Sequence, residues 1–240
     1  MRESLVALFV LTGACTREQA RPQEEEASSG APPVEAAVVA ESKPSPPELE
    51  LREPPSGFVV LPEAVPGVVL DVRYATADNF TGAPLPGYVP ATLWVHRSTA
   101  AALAKVQTSL VETGHRLRIY DAYRPARASE AMVAWAHASG QESLLRDGYL
   151  ARHSNHARGN TVDVTLESAE GEPLGMGTEW DSFSPQSHYA AARGEAMAHR
   201  KMLRHAMMRA GFKPYAREWW HFSLPEPAGL RRLDVPYGSP

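Results

Sequence analysis

His156 and Asp163 stand seven positions apart with Gly159 between them, and Glu218 and His221 stand three apart in the run Glu218-Trp219-Trp220-His221. Zinc used for hydrolysis keeps three protein ligands, commonly imidazole nitrogens and one carboxylate oxygen, and leaves its fourth position to water. His156, Asp163 and His221 satisfy that count, and Glu218 remains as a base. On a β-strand, residues three apart face opposite ways, so Glu218 and His221 share a pocket only if the strand twists, bulges or ends nearby. The local sequence leaves those three routes open. Cys15 is the only cysteine among 240 residues, which excludes an internal disulfide and a thiolate metal site.

These side chains need elements to bring them together. From Asn160 to Glu167, Val162, Val164 and Leu166 alternate with Thr161, Asp163 and Thr165, a period-two strand pattern that turns Asp163 away from the aliphatic face. Phe212 to Leu224 reads as another strand, and Leu117, Ile119 and Tyr120 predict one ending at Asp121-Ala122-Tyr123-Arg124-Pro125. Phe58 to Leu61 and Val68 to Val72 read as short strands, and Tyr74 to Gly82 as a structured loop. Ser98 caps a helix through about Thr113, with Leu103, Val106 and Leu110 inward and Gly114 as its stop. Further helices are expected from about Ala126 to Ala138 and from about Tyr189 to Ala210, the latter ended by Gly211. Helices and strands mixed without a regular βαβ repeat indicate an α+β domain with a mostly antiparallel sheet flanked by helices.

The N-terminal quarter is different. Arg2 precedes the apolar run Leu5 to Leu11 and then Thr12-Gly13-Ala14-Cys15, so residues 1–15 read as a lipoprotein-type signal, too short to span a bilayer as a helix. Cys15 would carry the lipid, with the protein extracytoplasmic, in the periplasm or cell envelope. Residues 16–56 hold nine acidic and four basic residues, are rich in Pro, Glu, Ala and Ser and contain no aromatic residue, the composition of a disordered linker. The whole chain carries -4, so the folded remainder, residues 57–240, is left near neutral at +1. That balance gives no electrostatic case for nucleic acid.

Taken together, Ser154-x-His156-x-x-Gly159-x-x-x-Asp163, Glu218-Trp219-Trp220-His221 and Tyr123-Arg124-Pro125 resemble the VanX-like D-alanyl-D-alanine dipeptidases, within the wider hedgehog-like group of zinc D-Ala-D-Ala peptidases. The resemblance extends to Tyr74-Ala75-Thr76, Asp78-Asn79-Phe80-Thr81-Gly82 and Met176-Gly177-Thr178-Glu179-Trp180-Asp181, about Val59 to Leu224 in all. It implies that His156, Asp163 and His221 hold one Zn2+ per chain, that Glu218 is the general base and that Arg124 faces the carbonyl oxygen. It also implies that Asp181 and the Tyr74 hydroxyl bind the substrate ammonium, while Ser154 and the backbone around Tyr88 bind its carboxylate. The substrate expected is D-Ala-D-Ala or a related D,D-dipeptide.

Asn155 stands where family members often have a second serine, and Ala77 replaces a bulkier residue in the loop after Tyr74. His188 follows Ser187, a pair that also recurs in the family. Two other readings use the same residues. One is a zinc carboxypeptidase or endopeptidase acting on peptidoglycan stem peptides, and the other a binding module for cell-wall peptides that does not cleave them.

Overall fold

Val162, Val164 and Leu166 point to one side of a strand while Thr161, Asp163 and Thr165 point to the other, and all six are buried, so this strand lies at the centre of the fold. The computed structural model describes residues 50–225 and 230–239. In chain order these contain β1 (Phe58–Val60), α1 (Leu61–Ala64), β2 (Val69–Leu70), β3 (Trp94–His96), α2 (Arg97–Val111), β4 (His115–Asp121), α3 (Ala126–Ala138), α4 (Ser143–Arg146), β5 (Thr161–Ser168), α5 (Gly194–Arg209), β6 (Lys213–Pro214) and β7 (His221–Ser223). Five strands form one sheet in the order β2-β4-β5-β7-β6. β2 and β4 run parallel and the other neighbours antiparallel, while β1 and β3 form a separate antiparallel pair. The α+β architecture expected from the sequence is therefore the one observed.

Leu117 and Ile119 of β4 lie directly across from Leu166 and Val164 of β5, and Phe222 of β7 from Val162. This apolar face is part of one core with Leu103, Val106 and Leu110 of α2 and Leu203 and Met207 of α5. Each such side chain contributes ~1.5–3 kcal/mol by leaving water. The opposite face is polar yet also covered. Glu167 there is fully buried, and its charge is met by Arg116 and by Arg118, whose Nη2 lies 2.7 Å from Oε2.

Two irregularities in this sheet build the site. The β4 register shifts between Ile119 and Asp121, so that Ile119 pairs with Val164 but Asp121 pairs with Asp163. Strict alternation would aim Asp121 into the helix-covered face with Ile119; the extra residue of the bulge turns it to the polar side instead. The second irregularity breaks the expected strand from Phe212 to Leu224 into β6 and β7. Tyr215 N donates to His221 O at 3.0 Å and Glu218 N to Tyr215 O at 3.4 Å, closing a turn between them. Glu218 lies in that turn and His221 opens β7, so strand alternation does not separate them.

The other departures are at element ends. α2 begins one residue before Ser98, and its cap is His96, whose Nδ1 accepts from Ser98 N at 3.3 Å. α5 begins at Gly194 rather than Tyr189, because Arg193 is extended and its guanidinium binds the carbonyls of Ala190, Ala191 and Ala192. Residues 1–49, which include the anticipated signal and most of the linker, lie outside the described residues. Ordered pairing begins before Gly57: Leu51 bridges to Gly238, and Arg52 N donates to Tyr237 O at 2.8 Å. The C-terminal segment straps the site loops together, with Leu233 N on Ala157 O, Leu233 O accepting from Ala126 N, and Tyr237 N on Gly87 O.

Gly159 closes the turn after His156 with φ +70°, and its carbonyl accepts from His96 N at 2.9 Å. A Cβ there would meet the Phe58 ring and approach His96 N to 2.9 Å. Gly159→Ala is expected to cost about 3 kcal/mol from left-handed strain plus overpacking. A thermal melt should shift down by roughly 6–12 °C; an unchanged transition would show that the turn relaxes freely.

Candidate metal centre and substrate cleft

Three different elements supply the donor atoms. His156 lies in the single 3-10 turn Asn155–Arg158, begun by Ser154, whose Oγ accepts from His156 N at 3.3 Å. Asp163 comes from β5, and His221 sits directly across from it on β7. Asp163 Oδ1 is 3.0 Å from His221 Nδ1 and 3.3 Å from His156 Nε2. One donor atom from each residue fits within a mutual 4.8 Å.

His156 is oriented from behind. Its Nδ1 donates to Ala122 O at 2.7 Å, with Asp121 Oδ2 at 3.3 Å, which directs Nε2 to the cleft. That Nε2 is buried and has no hydrogen-bond partner among the described residues. A buried nitrogen without a partner is unfavourable, and a cation beside Asp163 and His221 satisfies it. Burial alone would raise the Asp163 carboxyl, but the imidazoles of His156 and His221 outweigh it and hold it ionised, well below the usual carboxylate range. Burial lowers the His221 proton affinity despite the opposing pull of Asp163, favouring the neutral ring that metals bind. The residues present fit a divalent metal ion.

Around this set the charges are tightly organised. Asp121 is fully buried; its Oδ1 accepts from Tyr88 Oη at 2.6 Å and Ala122 N at 2.9 Å, and its Oδ2 from Arg124 Nε at 2.8 Å and Nη2 at 2.7 Å. Arg124, itself buried, thus faces Asp163 Oδ2 at 3.5 Å and stands over the Tyr74 ring at 5.1 Å. Glu218 Oε2 lies 3.6 Å from His221 Nδ1. Burial, then the charges of Asp163 and Asp181, push the Glu218 carboxyl well above its ordinary value, with Arg124 opposing.

Tyr74 Oη donates to Asp181 Oδ2 at 2.7 Å, and burial followed by the Asp163 charge raises the Asp181 carboxyl, with the Tyr74 hydrogen bond and Arg124 opposing. Asp181 holds φ +57°, a strained conformation for a residue with a side chain.

The cleft has a volume of about 390 Å³, and its wall includes Tyr74, Arg124, Ser154, Asp163, Asp181 and Glu218 as well as both imidazoles. Eight of the nine residues singled out from sequence therefore line one cavity. Tyr88 is not on that wall; its hydroxyl is committed to Asp121. Its side chain therefore takes a supporting position behind Arg124. Asn155 lines the cleft, whereas Ala77 is exposed and does not.

Sequence reasoning missed two buried supports. Asp121 carried a faint signal in its three-residue spacing from Arg124. Arg200 carried none, since a lone arginine on a helix reads as solvated. It is 1 % exposed, with Nε on Met176 O at 2.7 Å, Nη1 on His188 O at 2.7 Å and Nη2 on Gln186 O at 3.1 Å. One guanidinium thus clasps both ends of the loop that carries Asp181. His188 in turn holds Tyr149 of the cleft wall, Nε2 to Oη 2.9 Å.

A metal-donor triad with a buried carboxylate and a buried guanidinium at its edge is the site of a metallopeptidase. Residues 55–237 match the family described as D-ala-D-ala dipeptidase, and the chain belongs to that family. It is 35 % identical over 199 residues to a D-alanyl-D-alanine dipeptidase of Enterococcus faecalis, a match covering 76 % of this chain and 94 % of that protein. It is 37 % identical over 186 residues to one of Streptomyces coelicolor, covering 70 % and 92 %. A third, from Escherichia coli, is 34 % identical over 170 residues, covering 70 % and 84 %.

Asp121→Asn keeps the shape of the support but removes the charge behind His156 and Arg124. It is expected to weaken metal affinity ~10–100-fold without unfolding the protein. Competition against a chromophoric chelator measures this, and an unchanged affinity would remove Asp121 from the metal support.

Proposed function

We propose that this chain is a zinc-dependent dipeptidase that hydrolyses D-Ala-D-Ala. The observation that carries the proposal is one cleft containing the His156, Asp163 and His221 donors, Glu218, and the Tyr74–Asp181 pair. The D-alanyl-D-alanine dipeptidase relatives support the same substrate. His156, Asp163 and His221 would hold the ion, two nitrogens and one carboxylate oxygen being a set that zinc favours. When bound, zinc supplies a Lewis acid and makes water acidic enough to act near neutral pH.

The remaining steps belong to the chain's own groups. Glu218 accepts the proton of the attacking water, and its raised proton affinity lets it hold that proton for delivery to the departing amine. Arg124, fixed by Asp121, opposes the negative charge that grows on the carbonyl oxygen without having to reorganise; removing one such donor typically costs ~100-fold or more in rate. Asp181 and the Tyr74 hydroxyl receive the free ammonium, a cation that offsets the cost of burying the Asp181 charge. Ser154 lines the same cleft, and its hydroxyl is available to donate to the carboxylate. A site built around a free ammonium rejects substrates that lack one, because its buried polar groups then go unpaired. That favours a dipeptidase over a carboxypeptidase on longer stem peptides.

We further infer an extracytoplasmic protein tethered through lipid on Cys15, from Arg2, the apolar run Leu5 to Leu11 and the single cysteine behind it. Labelled palmitate should enter the full chain and be lost in Cys15→Ala; equal labelling of both would refute the anchor.

The enzymatic reading is tested by amine release from free D-Ala-D-Ala and from its N-acetyl derivative, with zinc-loaded protein. Only the free dipeptide should be cleaved, and Glu218→Gln should lower kcat ~100- to 10,000-fold while zinc stays bound. Cleavage of the blocked form would make the protein a carboxypeptidase, and cleavage of neither would favour the binding-module reading.

A further inference from the structure

The substrate read above is a zwitterion, and the described cleft meets its ammonium with Asp181 and Tyr74. Its carboxylate has so far been given only the Ser154 hydroxyl, and a cation beside it would add a charge-assisted hydrogen bond. We propose that the ammonium of Lys213 receives the C-terminal carboxylate of the dipeptide, in a subsite it shares with Ser223. That assignment rests on the dipeptidase reading and names the specificity element at its C-terminal end.

The sheet register aims Lys213 at the site. Lys213 lies directly across from Ser223 on β7, and Ser223 directly across from Thr161 on β5. Ser223 is two residues beyond His221, and Thr161 two residues before Asp163. Side chains two apart on a strand share a face, so Lys213 and Ser223 stand on the same side of the sheet as the Asp163–His221 pair. Both line the cleft. Ser223 Oγ is held by Thr161 Oγ1 at 2.8 Å, which fixes the floor beside Lys213.

The strand order then supplies a direction. Tyr74 follows β2 and Arg124 follows β4, Asp163 is on β5, His221 on β7, and Lys213 on the edge strand β6. The cleft therefore crosses the sheet from the ammonium site at one edge, over the metal donors, to Lys213 at the other. Neighbouring strands are about 5 Å apart. A dipeptide's carboxylate lies about 4 Å beyond the carbonyl that is cleaved. A chain held by its ammonium at Asp181, with its peptide bond at the metal donors, ends beside β6, within reach of a flexible four-carbon lysine stem.

Charge on the cleft wall narrows the choice. Apart from the metal-donor imidazoles, the wall holds three basic side chains: Arg124, His153 and Lys213. Arg124 is held by Asp121, and His153 Nδ1 stands 2.6 Å from Arg232 Nη1, a cation already occupying its ring nitrogen. Lys213 makes no ion pair or side-chain hydrogen bond among the described residues. It is exposed at the mouth, so it keeps its hydration until a carboxylate arrives.

The test compares the full chain with Lys213→Met and Lys213→Arg, on D-Ala-D-Ala and on its C-terminal amide. Lys213→Met should raise KM for the free acid roughly tenfold, the worth of one charge-assisted hydrogen bond, with kcat within about twofold. The amide should be handled alike by wild type and variant, and Lys213→Arg should recover most of the loss. In a Glu218→Gln background, calorimetry should give the same roughly tenfold drop in dipeptide affinity, so the result does not depend on turnover. Equal affinity for the free acid with and without Lys213, or an equal loss for acid and amide, would overturn the Lys213 assignment alone. Wild type that binds D-Ala-D-Ala without cleaving it would instead overturn the dipeptidase reading, and absence of binding would overturn both.

Discussion

Three carboxylates, Asp163, Asp181 and Glu218, line a single cleft in which Arg124 is the buried guanidinium, and Asp121 behind that guanidinium already absorbs its charge. Burying ionised groups without partners costs several kcal/mol each. Glu218 and Asp181 respond by holding their protons more tightly, whereas Asp163 stays ionised because two imidazoles face it. A cation brought beside these carboxyls would favour release of those protons, so the cleft is electrostatically suited to positive ligands. In the proposed chemistry the substrate and the metal complete an electrostatic arrangement that the folded chain leaves unbalanced.

Holding such groups in place demands a scaffold more rigid than the groups themselves. The sheet supplies it on one side, with aliphatic residues of β4, β5 and β7 packed under α2 and α5. On the other side the supports are polar. Asp121 ties Arg124, Tyr88 and the His156 ring to the end of β4, and the C-terminal segment binds the loops bearing His156, Arg124 and Tyr88. Arg200 is buried with three carbonyl oxygens for partners, and burial lowers its proton affinity. Trp219, next to Glu218, lies 5.8 Å from its guanidinium and donates from Nε1 to Thr178 Oγ1 at 2.9 Å. The loop with Asp181 and the turn with Glu218 are thus locked to the same helix.

Much of this was legible in the residues. The alternation through Thr161–Ser168 is a local signal, and β5 follows it; the helical spacing of Leu103, Val106 and Leu110, and the span Ala126–Ala138, likewise need only neighbours a turn apart. The donor residues were readable because metal chemistry restricts residue type severely. What escaped depended on partners distant in sequence. Asp121 faces the site only because β4 bulges against β5, and Arg200 is buried only because a loop some twenty residues upstream closes over it. The start of α5 was misread because Arg193 binds the carbonyls behind it, ending one turn before the helix begins.

Residue type and short-range spacing by themselves determined which groups this protein has to work with: two imidazoles and a carboxylate of the types metals prefer, a second carboxylate beside them, and the strands and helices to carry them. Both determinants are local, because ligand preference belongs to the side chain and periodicity to adjacent turns and pleats. Tertiary structure decided the geometry. It cut one expected strand into two and set Glu218 in the turn, chose which face Asp121 takes, committed the Tyr88 hydroxyl to Asp121, and brought Lys213 to the cleft wall. Such outcomes depend on the register between strands and on which carbonyls remain to be satisfied, and neither exists until distant segments have met.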